Sequence, residues 1–143
     1  MPLINFSELE PEDQETETKD RAYWIERSGL VGVEIVDSCL NIIHEIDKRV
    51  TLNYNQSYIG LTYQNRSKNF ALFVPKDTFA RTSISLPDSN KWIELLSSRG
   101  FKAISIHKRN GRLKFRISKE NIQNDSKLLS EIFRESYEYR FNS

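Results

Sequence analysis

Cysteine is nearly absent from this chain: Cys39 stands alone. No internal disulfide can form, and the composition suits a reducing, cytoplasmic setting. Histidine is scarce too. His44 and His107 lie far apart, and the spacing of Cys39 to His44 does not put two ligands on one helical face. Neither a metal site nor a Cys–His nucleophile pair is expected. Glycine is sparse and scattered. Gly60, Gly100 and Gly111 are isolated, which leaves no glycine-rich phosphate cradle and no Gly-x-Ser-x-Gly elbow. Long apolar runs are missing. The most apolar stretch, "GLVGVEIV", is eight residues long and contains Glu34. A membrane span needs ~18 or more, so no membrane association is expected. The acidic start has no apolar run behind basic residues, which predicts no secretory leader. The sequons at Asn55-Gln-Ser57 and Asn65-Arg-Ser67 then read as ordinary loop chemistry.

One further absence is local. From Phe101 to Lys119 there is no acid, against seven basic residues: Lys102, Lys108, Arg109, Arg112, Lys114, Arg116 and Lys119. Residues 1–20 are the converse, with seven acids and one lysine. A net charge of +1 therefore conceals two opposed blocks. Residues 1–19 contain Pro2, Pro11 and too little apolar surface to fold alone, and predict an acidic flexible arm. Their few apolar side chains, Leu3, Ile4, Phe6 and Leu9, could dock as a short linear motif. Residues 20–143 predict a single domain, long enough to bury its own core.

What is present is a clean change of period. "RAYWIERSG" reads as a short helix stopped at Gly29, and a longer one follows from about Leu30 to Arg49. In it Val33, Val36, Leu40, Ile43 and Ile46 recur at spacings of three and four. The period then becomes 2. "VTLNY", "SYIGLTY", "NFALFVP" and "FARTSISL" read as four strands, the last two closed by Pro75 and Pro87. A helix capped near Asp88–Ser89 runs to about Arg99 and stops at Gly100. Two more strands follow, and a last helix begins near Asp125 or Ser126. The order α-α-β-β-β-β-α-β-β-α, with short connections between strands, predicts an α+β fold: a mainly antiparallel sheet of about six strands with helices on one face.

The basic stretch lies on the last two strands. Its "RNGR" contains Asn110-Gly111, the strongest local signal for a two-residue type I′ hairpin. That turn would set Arg109 opposite Arg112, His107 opposite Lys114 and Ile106 opposite Phe115. Ile104, Ile106, Leu113, Phe115 and Ile117 would then face the core, and His107, Arg109, Arg112, Lys114 and Arg116 would share the other face. Like charges facing each other destabilise a sheet by a few tenths of a kcal/mol per pair. Five gathered basic groups are therefore answered by acids from elsewhere, used on an anion such as nucleic acid, or kept to protect an exposed hairpin from edge-to-edge pairing. The basic face carries no aromatic of its own, and Tyr54, Tyr58 and Tyr63 lie on earlier strands.

No catalytic constellation appears. Asp88 could open a metal-dependent nuclease motif, but no Glu-x-Lys or Asp-x-Lys follows it on a strand. The segments "LNYNQSYIGLTY", "NFALFVPK", "IELLSSRG" and "HKRNGRLKFRIS", taken in order, resemble a small prokaryotic domain of unknown function. That domain is the C-terminal module labelled "predicted transport protein" in some nuclease-like and restriction- or defence-associated proteins. The resemblance covers residues 21–140 and is most specific at Tyr58-Ile59-Gly60-Leu61 and from Asn69-Phe70 to Lys76. It implies an accessory, non-catalytic module, without cofactor or catalytic residues, in a defence or counter-defence context. The expectation is thus a non-enzymatic binding module that contacts nucleic acid or an acidic protein surface through His107, Arg109, Arg112, Lys114 and Arg116. A protein-interaction adaptor docking through the helices or the acidic arm is the alternative, and an enzyme of unrecognised type the third.

Overall fold

The computed structural model describes residues 17–142. The element order is the expected one with a two-residue strand added. Helices α1 (Arg21–Ser28) and α2 (Leu30–His44) come first. Five strands follow: β1 (Val50–Tyr54), β2 (Ile59–Tyr63), β3 (Arg66–Ser67), β4 (Ala71–Pro75) and β5 (Phe79–Ile84). Helix α3 (Asn90–Ser98), strands β6 (Lys102–Ile106) and β7 (Leu113–Ser118) and helix α4 (Lys119–Phe141) complete the domain. All strand pairs are antiparallel, in the spatial order β1-β2-β4-β5-β7-β6, with β3 paired to β2.

The helices collect on one face of this sheet. Gly32 lets α2 approach closely: a Cβ there would lie 2.1 Å from the Lys76 carbonyl oxygen. The buried face of α2 is wider than one stripe, because the helix packs on the sheet, on α1 and on α4. Val33, Val36 and Ile43 are buried as expected. Leu40 and Ile46 are only half-buried, while Ile35, Ile42 and Cys39 join the core. Burial pushes the Cys39 thiol far above its ordinary range, so it is an inert packing residue. The helix ends at His44, earlier than the expected Arg49, where His44 Nε2 donates to the Val50 carbonyl at 2.7 Å.

The last helix starts earlier than its apolar pattern suggests. Ser118 and Asn121 form a capping box, with Asn121 N to Ser118 Oγ at 3.2 Å and Ser118 N to Asn121 Oδ1 at 2.9 Å. A kink at Asp125 (φ −130°, ψ 28°) then begins the segment whose Leu128, Leu129, Ile132 and Phe133 face the core. Buried Ser136 lies within hydrogen-bond distance of the Phe70 and Ser85 carbonyls, at 2.9 and 2.6 Å, and docks α4 onto β4 and β5.

Of the acidic arm expected over residues 1–19, only Glu17, Thr18 and Lys19 fall among the described residues. They are tied to the end of β1 and the residues after it: Lys19 N donates to the Tyr54 carbonyl and Gln56 N to the Glu17 carbonyl, both at 2.8 Å. Trp24 Nε1 anchors α1 to the same segment through the Asn55 carbonyl at 2.8 Å.

Candidate functional site

Alternation decides what the uncovered face of the sheet displays. On β5, Ala80, Thr82 and Ile84 point to the helices, so Phe79, Arg81 and Ser83 point away. On β7, Leu113, Phe115 and Ile117 are buried and Lys114 and Arg116 face outward. These strands are neighbours. Arg81 pairs directly with Arg116 and Ser83 with Lys114. On the far side of β7, Lys102 pairs with Arg116 and Ser105 with Lys114. Lys102, Arg116 and Arg81 therefore stand in a row across three adjacent strands, all exposed, with Lys114 half-buried in the next row. None of the ion pairs among the described residues involves Lys102, Arg81 or Arg116. The Arg116 guanidinium lies 4.4 Å from the centre of the Phe79 ring, within cation–π range.

The expected five-residue face is rearranged, because the hairpin is not a two-residue turn. Ile106 pairs with Leu113 rather than with Phe115. The connection is a four-residue loop, Lys108–Gly111, closed by His107 N to the Arg112 carbonyl at 2.9 Å and Gly111 N to the His107 carbonyl at 3.0 Å. Gly111 takes a φ of +72° there. Arg109 is exposed at the tip, and its backbone N–H donates to His107 Nδ1 at 3.2 Å. Neither Arg109 nor His107 joins the row on the sheet.

Arg112 stays on the outward side with Ser83, whose Oγ it approaches at 3.5 Å, but it is covered there and only 3% exposed. Its Nη1 donates to the Ser83 carbonyl at 3.3 Å, and its Nη2 donates to the Asn69 carbonyl. The reading of Arg112 as a solvent-facing anion contact is thereby corrected: it is a buried strut that ties the hairpin to β5 and to the approach of β4. Of the five residues expected together, only Lys114 and Arg116 remain accessible on the sheet's open face. Arg81 and Lys102 replace the others. No local signal in the sequence told which strand would lie beside Arg81.

The segments Tyr58–Leu61 and Asn69–Phe70 meet at the other end of this face. Asn69 Oδ1 accepts the Leu61 N–H at 2.9 Å, and a Cβ on Gly60 would sit 2.4 Å from that oxygen and 2.9 Å from the Tyr58 ring. Tyr58 is buried over β2. Tyr54 and Tyr63 lie on the helix-covered side, so no tyrosine stands exposed beside the basic row.

Among the described residues, no group of three or more His, Cys, Asp or Glu side chains could hold a metal ion, and no helix is long and apolar enough to cross a membrane. Comparison with protein-family models, with curated proteins and with solved structures gave no match.

Proposed function

We propose that this chain is a non-catalytic binding module that contacts the phosphate backbone of nucleic acid through the open face of its sheet. The observation that carries this reading is the direct opposition of Arg81 and Arg116, beside Lys114, without an ion pair to either arginine among the described residues. Like charges placed opposite each other weaken a sheet, and a bound polyanion removes that penalty. The resemblance of residues 21–140 to an accessory module of nuclease-like and defence-associated proteins supports the same reading, and we propose a defence or counter-defence setting for it.

The test is a fluorescence-anisotropy titration with a short duplex and a short single strand at two salt concentrations. Binding that weakens with salt and is lost in the double variant Arg81→Ala/Arg116→Ala supports the proposal. No binding of either oligonucleotide at low salt sinks it. A protein-docking reading would then lead, resting on Leu30 and Val31. These are 49% and 44% exposed at the start of α2, beside a groove of about 290 Å³ lined by Val31, Ile35, Ser38 and Ile122.

A further inference from the structure

The edge strand β6 carries one residue more than its partner needs. Ser105 pairs with Lys114 and Lys102 with Arg116, so Ala103 and Ile104 together oppose Phe115. Ile104 packs against the core. Ala103 is exposed and holds a φ of +54°, a left-handed conformation in which an alanine is strained and a glycine is not. The consequence falls on Lys102. A regular ladder continued from the Ser105–Lys114 pair would set Ala103 opposite Arg116 and turn Lys102 toward the core, opposite Ile117. The bulge turns Lys102 outward instead and seats it beside Arg116. Two unfavourable features meet at this point: a strained alanine, and a third cation added next to two facing arginines.

We propose that the β6 bulge completes a row of three cations, Lys102, Arg116 and Arg81, that takes successive phosphates of a single-stranded nucleic acid. This inference rests on the phosphate-binding reading above and adds the ligand class and a positioning device. The row runs perpendicular to the strands. Neighbouring strands lie about 4.8 Å apart, so the row extends over about 10 Å of flat surface. The helices described pack on the opposite face, so the sheet offers no helix to enter a duplex groove. A flexible strand can follow such a row, whereas a rigid duplex meets it with few phosphates at once. The Arg116 guanidinium lies 4.4 Å from the Phe79 ring centre, so the row has next to it the two kinds of group on which bases stack. Recognition through phosphates and stacking carries no base-edge readout, so the strand is bound without sequence preference.

The decisive experiment titrates the full chain against a short labelled oligothymidylate and a duplex of the same length at low salt. The single strand should bind more tightly. Lys102→Ala should weaken it about fivefold, the upper end for one exposed charge contact. Lys108→Ala, the same charge change at the exposed hairpin tip, should weaken it less. Ala103→Gly keeps the bulge accessible and should leave affinity unchanged, whereas deletion of Ala103 should reproduce the Lys102→Ala loss. Should that deletion fail to fold, the comparison of Lys102→Ala with Lys108→Ala still decides. Equal effects of the two lysine variants, or tighter binding of the duplex, would overturn the row while Arg81→Ala/Arg116→Ala still tests the phosphate reading. Absence of binding to both oligonucleotides would remove both.

Discussion

A guanidinium withdrawn from water must find its hydrogen-bond acceptors inside, and Arg112 does so on the carbonyls of Ser83 and Asn69. Both of those residues are themselves buried, so truncating Arg112 removes a buried donor from each oxygen and leaves the Asn69 carbonyl only the longer contact from Arg140 Nη1 at 3.5 Å. Arg112→Ala should therefore cost about 2–4 kcal/mol, read as a lower urea midpoint. Arg116→Ala should leave the midpoint close to wild type and act on nucleic-acid binding instead. The two arginines, four positions apart in one basic run, thus separate into a stability role and a surface role. Asp47 is a second buried charge at this scale. The Arg49 side chain holds its carboxylate at 2.9 and 3.0 Å, and the Tyr137 hydroxyl donates to it at 2.7 Å. The Arg49 hydrogen bonds lower its pKa far below the usual range, against the opposing effect of burial, and Tyr137 adds to the lowering. The unfolded value is about 3.9. Because the folded value lies lower, this stabilisation is fully present above the unfolded pKa and is lost as pH falls through the folded one. Asp47→Asn should lower the urea midpoint at pH 7, and the difference from wild type should shrink once the pH drops below about 4.

At the scale of elements, two turns exchange the conformations their sequences suggest. Asn110-Gly111 carries the familiar hairpin signature, yet it forms the end of a four-residue loop. The loop is tied down from outside by Ser89 Oγ, which donates to the Gly111 carbonyl at 2.7 Å, and is braced from within by Asn110 Oδ1, which accepts the Arg112 N–H at 3.0 Å. A two-residue turn would have kept Arg112 opposite Arg109 in solvent. The longer loop lets Arg112 reach its buried carbonyls instead, and tertiary anchoring outweighs the local preference. The paired left-handed residues occur at Gln64 (φ 52°) and Asn65 (φ 64°), between β2 and β3, where neither residue is glycine. A glutamine in that conformation is strained by about 1–2 kcal/mol. Gln64→Gly should relieve most of it, less the extra freedom of glycine in the unfolded chain, for a net gain of about 0.5–1 kcal/mol in a denaturation titration.

For the whole molecule, one face of the sheet is packed by helices and the other presents its charge. Four cations, Lys102, Arg81, Lys114 and Arg116, lie on the same side of β5, β6 and β7. Each phosphate contact on a single strand contributes about 0.7 to the slope of log affinity against log salt, so four give a slope near −3. Arg81→Ala/Arg116→Ala should lower its magnitude by between about one and two. A slope unchanged by that double variant would place the contacts elsewhere on the protein. The acids of residues 1–16 lie outside the described residues.

Much of this was legible in the chain itself. Periodicity located the helices and the six longer strands, because burying one face of a helix or strand imposes a spacing that a single sequence displays. Gly29 and Gly100 marked helix ends, since a positive φ there favours glycine. The alternation of β7 assigned inward and outward residues correctly at Lys114, Phe115 and Arg116. What the tertiary structure alone decided is which outward residues become neighbours. The pairing of β5 with β7 joins segments separated by a helix and an edge strand, and no local pattern encodes that contact. The bulge at Ala103 changes the side on which Lys102 emerges, and it has no glycine to announce it. The fate of Arg112 turns on carbonyls supplied by Ser83 and Asn69, far away in sequence. Local chemistry sets the period and the ends of an element; the energy of long-range packing and of satisfying buried polar groups sets its register and its partners.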